Sequence, residues 1–83
     1  MDERTAKIYR AAAAEDWQDT GEIVELLGDD SIDLLTVATT LQAGILSEET
    51  ARTEADGVIR WRVTERGKDL SRKPKPRAKP KRR

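Results

Sequence analysis

The chain has no cysteine, no histidine and no phenylalanine. The absence of cysteine removes disulfides, thiolate metal sites and thiol nucleophiles together. The absence of histidine removes the side chain best suited to acid–base work near neutral pH. No apolar run approaches the roughly 18 residues of a membrane-spanning helix, and the opening MDERTAKIYR lacks the apolar centre of a signal peptide. Basic residues are also missing from a long internal stretch: Arg10 and Arg52 enclose no Lys or Arg, but they enclose ten acids, from Glu15 to Glu49. With 83 residues the chain makes one small domain, too small to enclose an active site easily. A soluble, cytoplasmic protein is expected, nucleoid-associated if the source is prokaryotic.

Catalysis fares poorly among the residues that remain. The only candidate bases are carboxylates on a hydrated surface, and a general base needs a pKa near neutrality. Asp29, Asp30 and Asp33 make a loose oxygen cluster without the ligand spacing or glycine turn of a calcium loop, and helix capping accounts for them better. Ser31 and the threonines have no adjacent base, and the five glycines form no phosphate loop. The expectation is a protein that is not an enzyme, with no catalytic residue, cofactor or metal.

What the chain does have is charge of both signs, kept apart. Residues 72–83, RKPKPRAKPKRR, hold eight of the 16 basic residues and no acid, so the body carries all 16 acids against eight bases. The tail is at +8 and the body at −8, although the formal net charge is zero. Segregation of this kind points to a polyanion as the partner of the basic part. Pro74, Pro76 and Pro80 forbid a helix or paired strand, and the like charges repel, so residues 72–83 are expected to be a disordered arm reaching about 37 Å when extended.

Within residues 1–71 the clearest pattern is at the C-terminal end. Val58–Val63 alternates, with Ile59, Trp61 and Val63 on one face and Val58, Arg60 and Arg62 on the other, as a half-buried strand requires. Ala55, Asp56 and Gly57 supply the turn that folds residues 49–54 back as a partner strand. Thr64 then caps a short helix anchored by Leu70. Upstream, TAKIYRAAAAEDW predicts a first helix over about residues 3–16, with Trp17 plugging the core at its end. Asp19 or Thr20 caps a second helix carrying Ile23, Val24, Leu26 and Leu27, terminated by Gly28. Asp29, Asp30 and Ser31 offer a cap to a third, in which Leu34, Leu35, Val37, Ala38 and Leu41 recur at helical spacing up to Ala43 and Gly44. Ile45 and Leu46 then leave it as a short extension.

This order of elements resembles the winged helix-turn-helix superfamily of small prokaryotic and phage transcription regulators. The resemblance is carried by EIVELLG at 22–28, SIDLLTVATTLQAGIL at 31–46, the hairpin as the wing, and RVTERGKDL at 62–70, which is similar to the LTxxG exit from such wings. It implies an α+β domain of three helices, a two-stranded wing hairpin and a short C-terminal helix, and double-stranded DNA as partner. In DNA-reading members the third helix enters the major groove; the corresponding outward residues here are Thr36, Thr39, Thr40 and Gln42, together with Asp33. No cation lies on the second or third helix, which departs from the usual pairing of base-reading side chains with phosphate-neutralising ones.

The expected DNA contacts are therefore Thr36, Thr39, Thr40 and Gln42 for preference, Arg52, Arg60 and Arg62 on the wing, and Arg72, Lys73, Lys75, Arg77, Lys79, Lys81, Arg82 and Arg83 on the arm. A small DNA-binding protein or transcriptional regulator is the first expectation. The alternative is an interaction adaptor, or DNA mimic, whose acidic second and third helices dock a basic partner while the tail contacts nucleic acid. A homodimer pairing Ile8, Tyr9 and the alanine run is compatible with both.

Overall fold

A computed structural model describes residues 1–72. It contains four helices and a three-stranded antiparallel sheet: α1 (Glu3–Ala12), β1 (Gln18–Asp19), α2 (Thr20–Leu27), α3 (Leu34–Leu46), β2 (Thr50–Ala55), β3 (Val58–Val63) and α4 (Glu65–Ser71). The strand order is β1-β3-β2. Val58–Val63 is the central strand, pairing Thr50 to Val63 through Ala55 to Val58 on one side and Gln18 and Asp19 to Trp61 and Arg60 on the other. The core is made by Ile8, Tyr9 and Ala12 of α1, Ile23 of α2, Val37 and Leu41 of α3, and Trp61 and Val63 of β3, with Ile32 from the loop before α3.

The hairpin forms as its sequence requires. Asp56 and Gly57 have φ of 54° and 75°, so both turn residues are left-handed, the geometry that matches the twist of the flanking strands. Helix α2 opens on a capping box, in which the Asp19 carboxylate accepts from Glu22 N and the Glu22 carboxylate accepts from Asp19 N, each at 2.8 Å. It closes on Gly28 at φ 59°.

Helix α1 stops at Ala12, short of residue 16. Gln18, buried, turns its Nε2 inward and donates to the carbonyls of Ala11 at 2.9 Å, Ala12 at 3.1 Å and Glu15 at 3.3 Å. These bonds close the end of α1 with a side chain instead of another helical turn. The reversal leaves Trp17 at φ 64° and 40% exposed, so it is Trp61 that fills the core. Gln18 also starts β1, making the sheet three-stranded where the hairpin alone was expected.

Helix α3 starts two residues later than expected and ends later too. Asp33 is its N-cap, accepting from Thr36 N at 2.8 Å, and Ile32 lies before the cap and joins Val37 in the core, the arrangement of a hydrophobic staple. Gly44 does not terminate the helix. A Cβ there would meet the Tyr9 hydroxyl and, at 3.0 Å, Thr50 Oγ1, so this glycine is what lets α3 lie against α1 and the start of β2. Ile45 and Leu46 are helical as a result. Leu70, expected to anchor α4, is 47% exposed. The helix is held instead by the close approach of Gly67 to the Glu49 carbonyl, by Thr64 Oγ1 donating to Glu48 O at 2.7 Å, and by Arg10 Nη1 donating to Ser71 O at 2.8 Å. Ile8 and Tyr9 are enclosed by the chain's own core, which takes them away from the pairing of two chains.

Candidate nucleic-acid interface

The three wing arginines fall on two faces of the sheet. Trp61 faces the core, and Arg52 is its direct cross-strand partner, so both side chains share the α3-facing side. The Arg52 guanidinium stands 6.0 Å from the Trp61 ring centroid, within reach of a cation–π attraction. It donates to Gln42 Oε1 at 3.2 Å and to Glu54 Oε1 at 3.1 Å. Arg60 and Arg62 alternate with Trp61 and occupy the outer side. Arg62 Nε lies 3.2 Å from Asp16 Oδ1, and Arg60 has no ion-pair partner among the described residues.

Thr36, Thr39, Thr40 and Gln42 are not equally accessible. Thr39 and Gln42 are exposed, whereas Thr36 is half-buried beside the cap and Thr40 is half-buried, lining a recess with Tyr9 and Glu49. The outward side of α3 therefore offers Thr39 and Gln42, with Arg52 brought to them from β2. That cation beside α3 was not anticipated, because it comes from β2, ten residues beyond Gln42 in sequence, and depends on the packing of β2 against α3. The remaining expected contacts begin at Arg72, which is paired with Asp69 at 3.0 Å; Lys73, Lys75, Arg77, Lys79, Lys81, Arg82 and Arg83 lie outside the described residues.

Electrostatically, the described domain is dominated by carboxylates with structural work. Asp29 accepts from Lys7 Nζ at 2.8 Å and from Ser31 Oγ and N at 2.6 and 2.9 Å, and these bonds, the lysine's first, hold its carboxyl well below the usual range. Asp33 and Asp2 are held down chiefly by the backbone N–H groups of Thr36 and Thr5 that they cap. The Tyr9 phenol is shifted the other way: burial raises it, and its bond to Glu49 raises it further. Capping and pairing thus account for two of the three acids of the cluster at residues 29–33, Asp29 and Asp33. Among the described residues no group of three or more potential metal ligands occurs, and no helix is long and apolar enough to cross a membrane.

A feature absent from the sequence reading lies between α3 and the sheet. Ala38, Thr39, Gln42 and Ala43 form one wall, and Arg52, Ile59 and Trp61 the other, of an open and mostly apolar groove of about 490 Å³. Leu35 and Leu46, on the same helix, are 74% and 92% exposed. No charged residue lies between Leu34 and Leu46.

The fold thus defines a small α+β domain in which two successive helices precede a hairpin and a closing helix. No protein-family model, curated protein or solved structure matches this chain.

Proposed function

We propose that this chain is a small DNA-binding protein of the winged helix-turn-helix type, possessing a regulator's architecture but gripping DNA chiefly through phosphate contacts. The observation that carries the reading is the charge segregation: eight cations and no acid in residues 72–83, set against a body at −8. The order α2, α3, hairpin, α4 is compatible with the winged helix and adds to this reading. The root of the arm is fixed, since Ser71 is buried and its carbonyl is held by Arg10. Arg60 and Arg62 on the outer face of the sheet supply a second set of cations.

Base readout is the weaker component. Thr39 and Gln42 are the exposed polar groups of α3, and the acids at its start, Asp30 and Asp33, repel a duplex that carries one charge per ~1.7 Å. Binding is accordingly expected to discriminate little between sequences.

The test is duplex binding against salt for the full chain and for a chain ending at Ser71. Eight phosphate contacts correspond to a log–log salt slope near −7, at about −0.9 per contact. Truncation should flatten the slope by most of that amount. Equal slopes for both chains would remove the arm from the interface and end this reading.

A further inference from the structure

We infer that the groove between α3 and the sheet is a docking site for a protein segment: an amphipathic helix with apolar residues along one face and Lys or Arg at both ends. This goes beyond DNA binding by the arm and does not depend on it.

Three observations carry the inference. The outward side of α3 is uncharged in a chain whose residues are 39% charged, and Leu35 and Leu46 are largely exposed. At spacings of four, three and four residues, Leu35, Thr39, Gln42 and Leu46 form one stripe about 17 Å long. Thr39 and Gln42 belong both to that stripe and to the wall of the groove, so exposed leucines and apolar cleft make one continuous surface. Such a surface on a small domain marks an interaction site, and its length suits the helix-in-groove mode, in which anchors at i, i+3, i+4 and i+7 enter a cleft.

Charge selects the occupant. Asp33 and Asp30 stand at the start of α3, and Glu48 follows its end, so the uncharged stripe is bracketed by acids. A helix with basic ends meets opposite charge at both brackets. A second copy of this chain, laid antiparallel on the same stripe, would set Asp33 against Glu48 twice, like charge on like. The chain's own arm has the right sign, but Ala78 and three prolines are its only apolar residues, which leaves it without anchors for the groove. Duplex DNA is repelled by the bracketing acids and offers no apolar ridge.

The experiment titrates the isotope-labelled full chain, without DNA, with two synthetic helical peptides of about 18 residues, long enough to hold a helix alone. Both carry the same leucine stripe; one ends in lysines, the other in glutamates. The expected result is saturable amide shifts at Ala38, Thr39, Ala43, Arg52 and Ile59 with the lysine-ended peptide, and binding at least roughly tenfold weaker with the other, a difference of about 1.4 kcal/mol. The double variant Leu35→Ser/Leu46→Ser, at exposed positions that do not hold the fold, should weaken the first peptide by roughly tenfold or more. Ala43→Leu, which fills the cleft, should do the same. Equal binding of the two peptides, or no shifts in the groove, overturns the inference. So does self-association in sedimentation that the double variant abolishes, which assigns the surface to a second copy. Loss of duplex binding by the double variant at fixed salt assigns it to DNA and overturns the inference equally.

Discussion

Tyr9 and Glu49, forty residues apart in sequence, meet where α1, α3 and β2 converge: the Tyr9 hydroxyl donates to Glu49 Oε1 at 2.7 Å. The bond closes the space that Gly44 leaves open by having no side chain. Burial and this carboxylate raise the phenol above its ordinary value of 10.0. A group whose folded pKa is raised contributes stability that is complete below the unfolded value and is lost as pH climbs toward the folded one. The domain should therefore lose stability above pH 10 more steeply than Tyr9→Phe does. At neutral pH the same substitution should cost about 1.5–3 kcal/mol, the net worth of a hydrogen bond to a charged group. Urea unfolding midpoints of both chains at pH 7, 9.5 and 11 check this, and parallel alkaline limbs would refute it.

Gly67→Ala should be among the most damaging substitutions a single methyl can make here. Its Cβ would run into the Glu49 carbonyl and come within 2.7 Å of Val63 Cγ1. The carbonyl is backbone and also accepts from Thr64 N at 3.0 Å, so it cannot move without undoing the start of α4. Overpacking of this kind costs about 1–3 kcal/mol. Gly21→Ala is the control, since its Cβ finds only Asp19 Oδ1 at 3.4 Å; a change within about 0.5 kcal/mol is expected. Thermal or urea denaturation of the two variants separates contact at one glycine from the general effect of losing a glycine.

Gln18 closes α1, so removing its donor should open the helix end. Gln18→Met keeps the bulk of the side chain but leaves the Ala12 carbonyl, whose bond to Gln18 is buried, without its partner. An unsatisfied buried acceptor costs about 1–3 kcal/mol, and a loss in that range is the expected result in urea. Faster amide exchange confined to the last turn of α1 should accompany it. A neutral substitution would mean that the three carbonyl bonds do not hold the chain reversal.

The parts of the fold that could be read from sequence were those written in a local code. Alternation at residues 58–63, the Asp56-Gly57 turn and the cap at Thr64 are settled by near neighbours and stand where they were expected, and of the two caps offered for α2 the chain uses Asp19. Errors arose where a distant partner decided. Trp17 has the bulk of a core residue, but a glutamine one position later turns the chain and puts Trp61 inside. Gly44 has the look of a terminator, yet a tyrosine from α1 needs its missing Cβ. Leu34 and Leu35 fit the helical stripe and are exposed all the same, because the core is already filled by Val37 and Leu41. In the candidate interface, the split of the arginines between two faces follows from strand alternation once the register is known. The arrival of Arg52 beside Gln42 needed the packing of β2 against α3.

The contribution of the outer sheet face to DNA binding rests on whether Arg62 is free to leave Asp16. Their side chains are 36% and 58% exposed at 3.2 Å, and a pair so solvated is worth at most about 1 kcal/mol, so Asp16→Asn should leave folding almost unchanged. It also removes one negative charge beside the face that presents Arg60. If Arg62 meets a phosphate, the variant should bind duplex several-fold more tightly at low salt, with a log–log slope steeper by up to about 0.9, the value of one contact. Arg62→Gln should flatten the slope by the same amount, and combining the two should erase the gain from Asp16→Asn, because the gain needs the guanidinium. A tighter variant whose advantage survives in the combination would instead report general relief of repulsion. An unchanged slope in Asp16→Asn and Arg62→Gln alike would take Arg62 out of the interface and leave phosphate binding to the basic arm and to Arg60.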